Sequence, residues 1–529
     1  MSLELQEYIF EKKPKRRELL QYCPKEQGRQ YRVQVFRNHS FELIEHTVGA
    51  YLDYAGFGIQ FYYSNYDDSF SFLDLDANAD LIMVWIDGAR YPNISVAEFL
   101  DQRVRALRAV TNQPVLVVPF RAEAALEIPD VLTVNISDLC AEQDIDPVDE
   151  RTLAATGTAL SGKAMLHVCK LLGLRYLPGV LRPALKGIVV DFDNTLYQGV
   201  LGEDGIEGVV LTPGHLALQQ ELKRLASQGF FLCAASKNEP EDVCALLDSR
   251  EDFPLKREDF TKLCVSWKPK AESMGEIAAF LNIHTDSLVF IDDNIGELTA
   301  VQMQHPHIHL IHAKEDASIT LEVLKSYPGL LKLRSSEDDA KRSADVRSNE
   351  ERTQLRQTMS HEDYIKSLEL QLTYSLNDRQ RIGRVAELSN KTNQFIFNYK
   401  RYSEAEVEQL MSSEDTAVLT LSLADRLSDS GLVGVFTGRR QNDHLELEEC
   451  FVSCRALGRG IDEVMVSGAI SVLQKHFGVS KLHVQFQTGP RNKPAEAFVK
   501  EHLHDYCTDP SVFTYELPRE LLTITVERN

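Results

Sequence analysis

At 529 residues, 43% of them hydrophobic, the chain is long enough for about three domains and apolar enough to fill their cores. Its 79 acidic and 57 basic side chains give a formal charge of -22, which excludes nucleic acid or an anionic membrane as the main partner, because both need a basic footprint. Nine cysteines lie scattered without CxxC pairs, and the basic N-terminus has no signal-peptide core behind it. No apolar stretch reaches the roughly 18 residues of a membrane span, so a soluble cytoplasmic protein with reduced thiols is expected.

Residues 1–180 alternate short apolar runs with amphipathic ones. Strands are expected at 31–36, 58–63, 81–87 and 115–119, and helices at 41–55, 96–111 and 162–172. Strands and helices in this alternation predict a Rossmann-like or flavodoxin-like domain. Arg37, Asn38, His39 and Ser40 follow the first strand, where an open α/β sheet presents its ligand groups. A hydrolase of the SGNH type would put a serine near there. No Asp-x-x-His partner closes the domain, so Ser40 reads as the N-cap of the next helix and the domain as a binding or docking surface.

The second α/β unit, 181–334, opens on Ile188-Val189-Val190-Asp191-Phe192-Asp193-Asn194-Thr195. An uninterrupted β-branched run is what a strand covered on both faces needs, and the Asp-x-Asp spacing puts both carboxylates on one side of it. Two like charges held together call for a divalent cation, and Mg²⁺ fits oxygen ligands best. Further strand ends deliver Ser236-Lys237-Asn238, then Lys268 and Lys270, then Asp292-Asp293.

The set has a coherent phosphoryl chemistry. Asp191 is expected to attack as a nucleophile and Asp193 to serve as acid and then base. Ser236 and Lys270 would hold the transferring phosphoryl group, with Thr195, Lys237, Asn238 and Lys268 lining it. Asp191, the Asp193 carbonyl and Asp293 are the expected metal ligands, with Asp292 and Glu297 in support. The short spacings between these pieces leave no room for a large inserted cap.

Residues 335–364 are charged and poor in large apolar side chains, and read as a solvated linker or exposed helix. In 365–529, strands at 371–375, 417–423, 433–437, 445–454 and 481–487 surround helices at 379–388, 461–477 and 494–501. The loop Arg455-Ala456-Leu457-Gly458-Arg459-Gly460 follows a strand and precedes a helix, so its backbone N–H groups and the helix N-terminus suit a pyrophosphate. Cys454 stands before it, flanked by Arg455 and Arg459, a setting that favours a thiolate. Asn492 opens the final helix, and Asp425, Arg426 and Asp429 could build a polar contact between domains.

The ordered DxDxT, strand-Ser, Lys and strand-Asp-Asp pieces resemble the haloacid dehalogenase (HAD) superfamily. DFDNTLYQGVLGEDG, ASKNEPEDV, SWKPK, FIDDN, KTNQF, LADRLSDSGLVGVF and SCRALGRGIDE together resemble the FkbH-like proteins across roughly residues 160–505. That resemblance implies an enzyme that takes a glyceryl group from 1,3-bisphosphoglycerate, removes phosphate and loads an acyl carrier protein for polyketide-type biosynthesis. The 455–460 loop is similar to that of GNAT-type acyltransferases, which implies that Arg455, Gly458, Arg459 and Gly460 receive a phosphopantetheine arm.

The N-terminal part is similar to the SGNH-like extension of longer relatives. The implied fold class is α/β in three domains: an SGNH-like or flavodoxin-like domain, a HAD Rossmann-like parallel sheet and a GNAT-like α+β domain. Where relatives read DLDNTLWGG this chain has Tyr197 and Gln198, and where some carry a cysteine before the second-motif serine it has Ala235. The acyl-bearing thiol would then be Cys454 or Cys233. A carrier would dock on a basic surface around Lys400, Arg401, Arg439 and Arg440. The alternatives are a stand-alone Mg²⁺-dependent phosphatase for another small phosphorylated metabolite, and a scaffold with vestigial sites.

Overall fold

Apolar runs that read as strands assemble into three sheets in the computed structural model, which describes residues 3–25, 30–332, 337–453, 455–457, 459–489 and 491–528. These residues fall into two compact units, the first holding most of 1–334 and the second 335–529.

The first sheet of the first unit contains β1 (Gln30–Arg37), β2 (Gly58–Tyr66), β3 (Leu81–Asp87), β4 (Val115–Phe120) and β5 (Val131–Thr133), in the order β2-β1-β3-β4-β5. Its strand pairs are parallel. Every residue of β3 and β4 is buried, as strands covered on both faces must be. The strand order reverses between β1 and β3, and there Asn38 exchanges hydrogen bonds with the backbone of Asp87, at 3.2 and 2.7 Å. Arg121 pairs with Asp87 across the same edge.

Ser40 does not cap the helix Glu42–Ala55, whose N-cap is Phe41. The Ser40 hydroxyl donates instead to Glu42 at 2.6 Å. The neighbouring His39 ring turns to Thr158, at 3.0 Å, so no serine–histidine pair forms.

The second sheet contains β6 (Gly187–Val190), β7 (Phe231–Ser236), β8 (Lys262–Val265), β9 (Leu288–Asp292) and β10 (His309–His312), in the order β10-β9-β6-β7-β8. β6, β7 and β9 are wholly buried. Between β6 and β7 lie only a short helix, Leu201–Gly208, and the helix Pro213–Ser227, and between β7 and β8 the helix Pro240–Ser249. No insertion of cap size interrupts the sheet.

The two sheets belong to one unit. Lys170 donates to Glu322 at 2.5 Å, and Phe10, Tyr54 and Tyr327 form a chain of edge-on rings. The helical run Gly162–Leu181 is long and apolar enough to cross a membrane, contrary to the reading above, but over half of it is buried against the rest of this unit.

The second unit holds β11 (Gln371–Leu376), β12 (Phe395–Ile396), β13 (Thr416–Ala424), β14 (Asp429–Gln441), β15 (His444–Val452), β16 (Lys481–Val484), β17 (Ser511–Val512) and β18 (Thr523–Arg528). The order is β17-β16-β15-β14-β13-β11-β18, mixed in direction, with β12 added to β15. β15 and β16 run parallel from His444↔Lys481 to Leu447↔Val484 and then separate.

The charged stretch expected as a solvated linker or exposed helix is the helix Glu337–Thr358 of this unit, and it differs from that expectation in burying Asp345, Val346 and Arg352. Arg352 reaches Asp425 at 2.8 Å and Asp345 at 3.2 Å, while Arg459 reaches Asp345 and Asp425 at 2.9 Å each. Ser430 also accepts from Arg459, at 2.7 Å. Two guanidinium groups and two carboxylates thus neutralise one another out of water. Asp425 serves this internal network and not a contact between domains.

Removing one member of a buried ionic set leaves its partners uncompensated. Arg459→Met is therefore expected to destabilise the second unit by about 3 to 5 kcal/mol, read as a lowered midpoint in urea unfolding. Arg440→Met, at an exposed pair with Asp415, is expected to change that midpoint little.

Two buried histidines make the first unit acid-sensitive. His39 stacks on Trp85 and Phe120, with ring centroids 5.0 and 5.7 Å away, and its Nε2 has no partner among the described residues. Burial lowers its pKa from 6.5 to about 3, and lowers that of His309 from 6.5 to about 4. A depressed histidine pKa means stability present above 6.5 and lost as pH falls toward the folded values. The expected loss by pH 4 is on the order of 3 kcal/mol per histidine. Thermal melts between pH 7 and 4 should show a shallower acid decline for His39→Phe than for the native chain.

Candidate active site

The buried run Gly187–Val190 ends where the chain reaches the carboxyl edge of its sheet, and Asp191 emerges between the ends of β7 and β9. Its backbone N–H still donates to Ile291, at 3.0 Å, so the nucleophile candidate is held by the sheet itself. Asp191 is 4% exposed. Ser236, at the end of β7, donates to Asp191 Oδ1 at 2.7 Å. Lys270, on the first turn of the helix Lys270–Phe280, lies 3.0 Å from Asp191 Oδ2 and 2.6 Å from Asp292.

Burial raises the pKa of Asp191, and the Lys270 charge acts against that rise. Burial likewise works against the Lys270 charge, but Asp191 and Asp292 outweigh it and raise its pKa. The result is an ammonium fixed between two carboxylates in a dry pocket.

Asp191, Asp292 and Asp293 can each direct one carboxylate oxygen to within 4.8 Å of the others. Three hard oxygen donors gathered at a strand edge would suit a Mg²⁺ ion. Asp292 is already engaged on both sides, by Lys270 and by the Asn294 N–H at 2.7 Å. Asp191 is held as well, by Ser236 and Lys270, so the half-buried Asp293 is the least engaged of the three. Glu297 does not reach this group; it pairs with Lys237 at 2.6 Å, which also takes Lys237 away from the pocket floor.

Asp193 is more tightly bound than the sequence indicates. Its Oδ1 accepts from the Tyr197 hydroxyl at 2.7 Å and from the Leu201 N–H at 2.9 Å, and its Oδ2 from Asn238 at 3.0 Å. Asn238 also donates to Ser236 Oγ at 3.1 Å, linking the two groups. Tyr197, noted in the sequence only as a departure from tryptophan, is thus a neighbour of the acid–base candidate. Its hydroxyl four residues downstream of Asp193 was the only signal. The loop that follows Tyr197 turns at Gly199, where φ is +114° and a Cβ would lie 2.7 Å from Asp204. Thr195 is 2% exposed, with a hydroxyl that has no partner among the described residues. Lys268 is exposed at the rim, beside Trp267.

The second unit differs more from expectation. Cys454 and Gly458 lie outside the described residues. Arg455 and Arg459 are buried, at 3% and 2% exposure, and Arg459 is committed to Asp345 and Asp425, so its side chain does not face a ligand. Gly460 has φ +76° and packs closely on His361.

The space where β15 and β16 part is filled by the chain's own segment around Phe395–Ile396. Phe397 donates to Cys450 at 3.0 Å and accepts from Gln487 at 2.9 Å. Asn398 donates to the backbone of both Glu448 and Gln485, at 2.8 and 2.7 Å. Beneath it the Glu449 carboxylate accepts the N–H groups of Phe397, Asn398, Lys400 and Cys450 at 2.8 to 2.9 Å. Asn492 is a clamp in the same set, donating to Ile396 and Gln487 at 2.9 and 3.0 Å. An extended arm finds these strand edges already paired.

Cys233 sits fully buried in β7, where burial pushes its thiol pKa far up, so it is not an acyl-bearing thiol. The residues of the expected basic docking surface are largely engaged within the unit. Lys400 and Arg439 share Glu448, Arg440 pairs with Asp415, and Arg401 donates to the carbonyl of Thr392 and to Asn393.

No family model matches this chain, and no curated protein matches it. Among solved structures, it is similar to the N-terminal part of the protein BF1531 from Bacteroides fragilis, which contains a phosphatase domain complexed with Mg. The two share 18% identity over 61% of this chain and 100% of that one, at a TM-score of 0.46. A HAD family enzyme, bt-2542 from Bacteroides thetaiotaomicron, in complex with magnesium and inorganic phosphate, is 14% identical over 25% of this chain and 95% of its own, at 0.21. The ribosomal-protein-alanine N-acetyltransferase of Brucella melitensis biovar Abortus 2308 is 14% identical over 27% of this chain and 99% of its own, also at 0.21.

Proposed function

We propose that the chain is a Mg²⁺-dependent phosphatase working through an aspartyl-phosphate on Asp191. The observation that carries this reading is the buried group of Asp191, Ser236 and Lys270, with Asp293 beside it. A bound Mg²⁺ would offset the repulsion between carboxylates and draw charge from the phosphoryl oxygens. An Asp191 oxygen then attacks phosphorus as the bond to the leaving oxygen breaks, and Asp193 supplies the proton that oxygen takes. Water next attacks the aspartyl-phosphate and gives a proton to Asp193, which frees phosphate and restores Asp191. Ser236 and Lys270 hold the phosphoryl oxygens through both steps.

The finer reading is that the substrate is 1,3-bisphosphoglycerate or a similar acyl phosphate, and that its glyceryl group passes to the pantetheine thiol of an acyl carrier protein. It is supported by the FkbH-like sequence blocks, which run through both units. With Cys233 sealed in the sheet, a thiol acceptor is either Cys454 or the carrier's own. The filled space between β15 and β16 favours the stand-alone phosphatase as the second reading, acting on another small phosphorylated metabolite.

Asp191→Asn is expected to lower phosphate release by roughly ten-thousand-fold while leaving the melting temperature near the native value. Retention of phosphate release in that variant would exclude the aspartyl-phosphate. Intact-mass measurement after incubation with Mg²⁺, 1,3-bisphosphoglycerate and holo-carrier separates the two finer readings. Gain of a glyceryl mass on the carrier supports loading, and an unmodified carrier leaves the plain phosphatase.

A further inference from the structure

A line of polar contacts outside the catalytic group ends on the metal loop and begins at the N-terminus. β10 is the edge strand of the second sheet, and its last residue, His312, lies opposite Asp292 of β9. Gln6, only 1% exposed, covers that edge. Its amide donates to the His312 carbonyl at 2.8 Å and accepts from the His312 N–H at 3.0 Å. One side chain thus makes the two bonds that another strand would make.

The His312 ring is fixed as well. Its Nδ1 lies 3.1 Å from the Lys314 ammonium, and its Nε2 lies 3.0 Å from the Asp293 carbonyl. An ammonium has only donors, so Nδ1 must accept. The ring proton therefore sits on Nε2, which donates to the Asp293 backbone carbonyl. Lys314 is steadied in turn by Glu11 at 2.9 Å, from the same N-terminal segment as Gln6. Asp293 stands between two anchors: the Asp292 carboxylate, which accepts the Asn294 N–H, and the His312 ring.

We propose that His312 is a positioning residue for Asp293, the candidate metal ligand, which it holds by the backbone carbonyl, and that Gln6, Glu11 and Lys314 hold His312 in place. This rests on the reading of Asp191 and Asp293 as a Mg²⁺ site. Groups that orient a ligand from behind change metal affinity without touching the ion. In this chain the N-terminal segment, far from the motifs in sequence, sets how firmly the ion is held.

The test is calorimetric titration of Mg²⁺ into the full-length protein, with melting temperatures recorded alongside. His312→Ala is expected to weaken Mg²⁺ binding by about tenfold. His312→Gln keeps a donor at the Nε2 position and is expected to stay within about twofold of the native chain. Gln6→Ala, which releases the edge of β10, is expected to weaken binding by a smaller factor than His312→Ala. Native-like affinity in His312→Ala, or equal weakening in the Ala and Gln variants, would overturn the proposal. If His312→Ala does not fold, Lys314→Met removes the group that fixes the ring proton; unchanged Mg²⁺ affinity there overturns it equally. Absence of Mg²⁺ binding by the native chain would instead bring down the metal reading itself.

Discussion

Lys270 is the interaction on which the first unit's site depends. Its ammonium lies 3.0 Å from Asp191 and 2.6 Å from Asp292, with all three groups nearly out of water. Without a cation there, β6 and β9 would bring two carboxylates together in a medium that screens them poorly, and the strand ends would be driven apart. With it, Asp191 and Asp292 are both held in place, and the half-buried Asp293 beside them is the least constrained carboxylate. The same arrangement explains why β6, β7 and β9 are apolar up to the residues that reach the site: a dry floor makes a few charged groups strong.

Around that floor the fold adds layers of orientation. Tyr197, Leu201 and Asn238 hold Asp193 from three directions, so the acid–base candidate does not wander. The N-terminal domain is packed into the same unit through Phe10, Tyr54, Tyr327 and the Lys170–Glu322 pair. Its own sheet edge, the natural ligand position of an open α/β sheet, is filled by Asn38, Asp87 and Arg121 bonding to one another. That edge acts as structure.

The second unit shows how charge can mislead. A stretch so rich in Glu, Asp, Arg and Lys reads as solvent-facing because isolated charges resist burial. Asp345 and Arg352 escape the rule because their partners, Asp425 and Arg459, come from elsewhere in the chain and neutralise them. The same pairing removes the Arg459 side chain from any ligand role.

By itself the sequence determined the strand–helix alternation, the parallel sheets and the chemistry gathered at 191–293, because burial periodicity and strand-end motifs are local signals. Ser236, Lys270 and Asp293 could be named because each stands at the end of an apolar strand or in the turn that follows. It did not reveal that Cys233 is sealed within β7, that Lys237 is paired with Glu297, or that Gln6 and His312 meet. Those are facts of distance across the chain, and pairings between residues far apart leave no periodicity to read. The tertiary structure decided them through packing: which polar groups lose water, and which partner each then finds.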